Sequence, residues 1–211
     1  KKLIEFLNKF LKNYEIILCD NGSIDLTTEK GKLLAKKYKK VRFFRIEKRA
    51  LGLALKEMIR KSRYEKIVYL PMDLSVDIKF VNEAASLLEK YDIVIGSKYM
   101  QQSIDKRSFT RKFLALVFNT LVNLFLNLNV SDTQCVKGFK KSKIIKIVKK
   151  TKSEDLFFEP ELLWYARQYH LNLTEIPVVC EDYRKTKVKI FGDSLRLFLK
   201  ILNFWRTKIL K

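Results

Sequence analysis

An α/β protein with a mostly parallel sheet flanked by helices is the fold class that three observations predict. Short apolar runs alternate with helical patterns through residues 2–95, the signature of strand–helix–strand units. Each apolar run stops at a cluster of turn residues, as in Asp20-Asn21-Gly22-Ser23 and Pro71-Met72-Asp73. The chain has 211 residues, 47% of them apolar, enough for one sizeable core and too apolar for intrinsic disorder.

The elements follow in order. Leu3, Phe6, Leu7, Phe10 and Leu11 recur at helical spacing and predict an amphipathic helix over 2–12. Glu15 to Cys19 reads as a buried strand, 26–38 as a helix, 41–46 as a strand and 50–62 as a helix. Lys66 to Leu70 is a strand, 78–90 a helix and Asp92 to Ile95 a strand. Ligands of such sheets bind outside the carboxyl ends of the strands, where Asp20 and Asp73 fall.

The second half is less regular. Phe113 to Val130 carries no charge over 18 residues, with Asn119, Asn123 and Asn127 forming one polar stripe. That pattern favours an interfacial or core-packed helix over a full membrane span. Lys137 to Lys152 holds eight lysines and no acid. A helix over 160–169 and a strand near 173–180 precede a closing helix in which Phe191, Leu195, Phe198, Leu202, Trp205 and Ile209 share one face. Such a basic, aromatic amphipathic helix suits a membrane surface or docking on its own domain. The expected organisation is one domain over 1–190 and a basic amphipathic helix over 191–211.

Lys and Arg number 44 against 23 Asp and Glu, a net charge of +21. That excess points to an anionic partner: a phosphorylated ligand, an acidic membrane surface or nucleic acid. Nucleic acid is disfavoured because the basic stretches contain no recognition motif. Cys19, Cys135 and Cys180 form no C-x-x-C pair. They exclude a disulfide framework or zinc site and suit a reducing compartment. The chain opens at Lys1 without an initiator methionine or a signal peptide, so its true N-terminus is expected to lie upstream.

Candidate site residues cluster at strand ends. Asp20, Asn21, Gly22 and Ser23 can receive a ribose or base. Asp73 can hold a divalent cation that bridges two phosphates. Lys98, Arg107 and Arg111 converge near one rim and can hold a phosphate, although in so basic a chain a solvated face is the plainer reading. His170 reads as a turn residue, and Trp164 and Trp205 as packing residues.

The motifs D-N-G-S-x-D (20–25), L-P-M-D-L-S (70–75), G-S-K-Y (96–99), D-T-Q-C-x-x-G-F-K (132–140), F-F-E-P-E-L (157–162) and E-I-P-V (175–178) come in one order. Taken together they resemble family 2 glycosyltransferases, most closely the polyprenyl-phosphate branch of dolichyl-phosphate glucosyltransferase and dolichol-phosphate mannose synthase. The resemblance covers roughly residues 14–205. It implies a GT-A fold, a Rossmann-like sheet that binds a nucleotide sugar with Mg²⁺ or Mn²⁺. It also implies hexose transfer, from a donor of the UDP-glucose or GDP-mannose type, to a polyprenyl or dolichyl phosphate at the cytoplasmic membrane face, by a peripheral protein. On that pattern Asp20 contacts the nucleoside and Asp73 lies at the diphosphate and metal. Lys98, Arg107, Arg111 and Lys187 face the acceptor phosphate, and Asp132 and Gln134 line the sugar pocket. Glu161 matches a family glutamate.

The chain departs from the pattern at named places. The family's first strand, with its Pro-x-Tyr-Asn-Glu motif, is not found, so a fragment or degraded paralogue is expected. Asn21 and Pro71 replace family aspartates, Arg49-Ala50-Leu51-Gly52 keeps one glycine of its loop, and Val136 stands where glycine is usual. These changes leave two rival classes: a non-catalytic glycosyltransferase-like binding protein, and a basic nucleic-acid-binding module. No catalytic histidine is evident, and none is required. The second pKa of a phosphate monoester is about 6, so the acceptor is already ionised at neutral pH.

Overall fold

The computed structural model describes residues 1–182 and 190–208. In chain order the elements are α1 (Lys2–Phe10), β1 (Ile16–Asn21), α2 (Thr27–Lys37), β2 (Val41–Ile46), α3 (Leu51–Lys61), β3 (Lys66–Tyr69), α4 (Phe80–Leu87) and β4 (Ile93–Ser97). There follow β5 (Ile104–Asp105), α5 (Phe109–Leu126), β6 (Lys137–Lys140), α6 (Lys141–Lys150), α7 (Phe158–Gln168), β7 (Leu173–Pro177), β8 (Val179–Cys180) and α8 (Ile190–Lys208). The strand–helix alternation read from the first half holds throughout it. The chain is α/β, with helices on both faces of the central sheet.

The central sheet has the order β3-β6-β4-β7, beside the two-stranded pairs β1-β2 and β5-β8. The pairs β1–β2, β4–β7 and β5–β8 are parallel, whereas β6 runs antiparallel between β3 and β4. Since β3 and β4 both oppose β6, they run the same way, and their carboxyl ends share one edge.

Every residue of β4 is buried, and its side chains alternate between two cores. Ile93 and Ile95 join Phe139, Ile144, Ile147, Leu162 and Leu163 on the face covered by α3, α5, α6, α7 and α8. Val94 joins Phe80, Ala84 and Leu88 of the α4 region on the other face. Each such Ile or Phe contributes about 1.5–3 kcal/mol by leaving water. A single charge on β4 would therefore injure one core or the other.

α5 spans 109–126, four residues earlier than its charge-free run, because Asn127 ends it in the left-handed conformation (φ 50°). Asparagine tolerates that C-terminal position. Asn119, Val122 and Leu126 face inward. α8 packs along α5 through Phe125, which meets Phe198 and Trp205 edge-on at 6.3 and 5.6 Å. Phe204 reaches Phe157 and Trp164 at 5.5 and 5.1 Å, and Ile201 is wholly buried. His170 adopts φ 52° at the end of α7, a turn residue as read.

Gly52 marks the tightest helix approach at the site. A Cβ there would lie 2.5 Å from Phe158 Cβ and 2.8 Å from the Glu154 carbonyl carbon. Backbone cannot yield as a side-chain tip does. Gly52→Ala is expected to destabilise the fold by about 1–3 kcal/mol, the usual cost of overpacking, measured by urea unfolding. An unchanged midpoint would contradict the approach.

Candidate active site

Asp20 is the penultimate residue of β1 and its side chain is buried. Its carboxylate accepts hydrogen bonds from Thr28 Oγ1 and, at 3.0 Å, from the Ser23 amide. Arg45 lies 3.7 Å away and donates to Thr28 Oγ1 at 2.7 Å. Burial alone would raise the Asp20 pKa, but these hydrogen bonds and the Arg45 charge outweigh it and hold the carboxyl below its usual range. Asp20 thus organises its turn from beneath. Asn21 Oδ1 accepts the Ala50 amide at 2.7 Å, so the asparagine that replaces a family aspartate fastens loop 47–50 to the turn. Gly22 takes φ 68°, where an added Cβ would press on the Glu47 carbonyl oxygen at 3.0 Å.

Asp73 follows β3 and is exposed, its Oδ1 accepting the Ser75 amide at 3.0 Å. Leu74 beside it takes φ 51°, a strained value for a bulky residue that is found at ligand-holding turns. Among the described residues no three His, Cys, Asp or Glu side chains gather as a cation site.

Lys98 and Asp132 meet at the end of β4. Lys98 Nζ lies 2.6 Å from Asp132 Oδ2, both side chains nearly inaccessible. The same carboxylate accepts the Lys98 amide at 3.1 Å and the Gln134 amide at 3.1 Å. Burial opposes the Lys98 charge, but Cys135 and Asp132 more than offset it and raise its pKa. Gln134 Nε2 donates to the Leu156 carbonyl at 2.9 Å, tying this loop to the segment before α7.

Lys137 is the residue that sequence reasoning passed over. It was counted in a basic stretch, yet it is fully buried. It shares the inward face of β6 with Phe139. Its Nζ donates to the Cys135 carbonyl at 2.8 Å and to Glu159 Oε1 at 3.1 Å. Burial raises the Glu159 pKa, and Lys137 offsets part of that rise. The carboxylate that pairs with Lys137 is 22 residues away, so local spacing carries no signal of it. Glu161 accepts the Lys152 and Ser153 amides at 2.9 and 2.8 Å, closing the turn ahead of α7.

The three basic residues of the rim are each held by a carboxylate. Lys98 pairs with Asp132, Arg107 grips Asp105 edge-on at 2.7–3.1 Å, and Arg111 pairs with Asp182. Lys187 lies outside the described residues. Lys48 joins Glu154 at 2.5 Å and the Leu53 amide donates to the Glu154 carbonyl, linking loop 47–53 to segment 151–161. The structure therefore joins Asn21, Gly52, Lys98, Asp132, Gln134 and Glu159 through one continuous set of contacts. Arg107 lies close enough to Lys98 for their charges to interact.

Known proteins are similar to this chain in sequence and in its GT-A fold. The sequence profile described as Glycosyl transferase family 2 matches residues 1–148. Glycosyltransferase AglD of Haloferax volcanii is 28% identical over 208 residues, which cover 96% of this chain and 33% of that protein. A dolichyl-phosphate beta-glucosyltransferase of Saccharomyces cerevisiae is 28% identical over 92% of this chain and 65% of its own length. The chain thus spans between one third and two thirds of the length of these relatives. Among solved structures, glucosyl-3-phosphoglycerate synthase from Mycobacterium tuberculosis with UDP aligns over 97% of this chain and 74% of its own, at TM-score 0.69 and 14% identity. With the family profile covering both strand-end aspartates, the G-S-K-Y loop and the D-T-Q-C loop, the chain belongs to glycosyl transferase family 2.

Proposed function

We propose that this protein is an inverting glycosyltransferase that moves a hexose from a nucleotide sugar, of the UDP-glucose or GDP-mannose type, to a polyprenyl or dolichyl phosphate. The carrying observation is the contact set that joins turn 20–25, loop 47–53, Lys98, loop 131–135 and segment 151–161 beside the strand ends. A ligand with a nucleoside at one end and a sugar at the other suits this position outside the strand ends. Relatives named dolichyl-phosphate beta-glucosyltransferase support the acceptor class.

In this reading one oxygen of the lipid phosphate bonds to the anomeric carbon while the bond from that carbon to the diphosphate oxygen breaks. The electron pair leaves with the nucleoside diphosphate. The protein positions both anions and balances their charge. In this reading Lys98, Arg107 and Arg111, each paired with a carboxylate, set the positive charge that balances the acceptor phosphate. Asp73 alone cannot fill the six oxygen positions of Mg²⁺ or Mn²⁺. It suits a cation that arrives on the donor's diphosphate, held by one carboxylate and phosphate oxygens; that cation would neutralise the leaving group. The test is incubation with radiolabelled UDP-glucose or GDP-mannose, dolichyl phosphate and detergent. Label entering the organic phase only when lipid phosphate is present is expected. An unlabelled organic phase with both donors would overturn the reading in favour of a non-catalytic relative.

We infer peripheral attachment to the cytoplasmic membrane face through α5 and α8. By length and composition α5 is long and apolar enough to cross a membrane, but its inner face packs on the core while Phe109, Phe113, Leu116 and Leu124 are exposed. Leu195 and Leu199 of α8 are exposed too. From Arg184 to Lys211 there are nine Lys or Arg and one acid, a net +8. Each such charge contributes on the order of 1 kcal/mol near an anionic surface. Sedimentation with phosphatidylserine vesicles is expected, with release at 1 M salt where the Debye length is about 3 Å. Equal binding to neutral vesicles, or retention through high salt, would contradict peripheral electrostatic attachment.

A further inference from the structure

The loop between α5 and β6 turns through two left-handed residues, Asn127 and Asn129 (φ 50° and 51°), and runs without regular structure to Val136. Much of it is buried, so its backbone groups need partners that no ladder supplies. Three side chains provide them. Asn123 pairs with Val130 in both directions, Nδ2 to the carbonyl at 2.9 Å and Oδ1 from the amide at 3.3 Å. Asn119 brackets Asp132: its Nδ2 donates to the Ser131 carbonyl at 2.6 Å, and its Oδ1 accepts the Thr133 amide at 2.9 Å. From the opposite element, β7, the Glu175 carboxylate accepts the Ser131 amide at 2.9 Å, the Ser131 hydroxyl at 2.7 Å and the Asp132 amide at 3.3 Å. Ser131 Oγ also meets Ser97 Oγ at 2.5 Å, at the end of β4 beside Lys98.

We propose that Asn119 and Glu175 are the positioning residues for Asp132. They fix the backbone on both sides of it so that its carboxylate reaches Lys98. The consequence for turnover rests on the transferase reading above. Neither residue touches Lys98 or the Asp132 carboxylate. They act through the loop, whose amide and carbonyl directions set where the Asp132 side chain starts. Two members of the asparagine stripe, Asn119 and Asn123, are explained in the same way, as the loop's clamp on α5, whereas the third, Asn127, ends the helix. Asn119 also ties the place of α5 to the place of Asp132, so a shift of that helix moves the site.

Two variants separate the roles. Asn119→Asp keeps the acceptor for the Thr133 amide but sets a carboxylate against the Ser131 carbonyl. Glu175→Gln turns one acceptor oxygen into a donor that faces amides. Glu175→Gln is expected to speed hydrogen exchange at Ser131 and Asp132 at least about tenfold, since their amides lose an acceptor, and Asn119→Asp at Ser131 and Thr133, since repulsion of the Ser131 carbonyl opens the loop from α5, while exchange in β4 and α7 stays unchanged in both. Both should also speed modification of the Lys98 amine by acetic anhydride, read by mass spectrometry. In turnover, kcat should fall about 10–100-fold with donor KM changed little, the pattern of a misplaced reacting group. Ser131→Ala removes one hydroxyl only and should move the same readouts part of the way, so the test stands if either larger change fails to fold. Unchanged Lys98 labelling in all three variants would overturn the assignment, as would faster exchange spread evenly over β4 and α7. Should the wild-type chain transfer no hexose to dolichyl phosphate, the transferase reading falls while the exchange and labelling readouts still decide this one.

Discussion

Replacing Lys137 with Met is expected to cost about 3–5 kcal/mol of stability, the loss typical of breaking a buried ion pair from one side. The change removes the cation from Glu159, which then sits fully buried without its partner, and frees the Cys135 carbonyl. The double change Lys137→Met with Glu159→Leu should recover much of the loss, because a buried pair replaced by apolar groups is often near neutral. The pH dependence has a definite sign. Glu159 already has a raised pKa in the folded chain, against 4.5 as its ordinary value, because burial dominates. Without Lys137 it rises further. Above pH 4.5 the folded variant then binds more protons than the unfolded chain, so its stability falls as pH rises. Urea unfolding at pH 5 and pH 8 should show the larger deficit at pH 8. Equal deficits would mean that Glu159 does not carry the effect.

Asp73→Ala should reduce turnover on the order of 10²–10³-fold, the scale of a few kcal/mol of lost charge stabilisation at the diphosphate. It should leave the fold intact, since the side chain is exposed and its bond from the Ser75 amide is a surface turn contact. Calorimetry supplies a readout that does not depend on turnover. UDP binding to the wild type should tighten when Mn²⁺ is added, and in the variant that gain should disappear while metal-free binding stays the same. If the variant kept the gain, the cation would be held elsewhere.

The strand–helix alternation of the first half was legible because each strand is a short apolar run and each helix buries one stripe. β6 was not. Lys137-Gly138-Phe139-Lys140 is too short and too charged to read as the strand that joins β3 to β4. Its inward lysine is hidden by a partner 22 residues away, and such a pairing leaves no mark in local periodicity. The strand-end aspartates are legible in the sequence, but their partners are not: Thr28 and Ser23 donate to the Asp20 carboxylate. The basic rim was read as free charge, whereas Asp132, Asp105 and Asp182 each hold one member. Asp132 and Asp182 lie 34 and 71 residues from Lys98 and Arg111, beyond the reach of any spacing rule, whereas Asp105 is two residues from Arg107. The asparagine stripe was visible as a period of four, but its target loop was visible only in three dimensions.

The central claim is that a lipid phosphate oxygen replaces a nucleoside diphosphate at an anomeric carbon, and it is most directly tested by NMR of the reaction mixture. The chain would be incubated with α-linked UDP-glucose, dolichyl phosphate, Mg²⁺ and detergent. The ³¹P spectrum should show the lipid phosphomonoester converting to a phosphodiester as UDP appears in equal amount, and the ¹H spectrum should show the new anomeric centre in the β configuration. An intact phosphomonoester with free glucose accumulating, or a product that retains the α configuration, would contradict it.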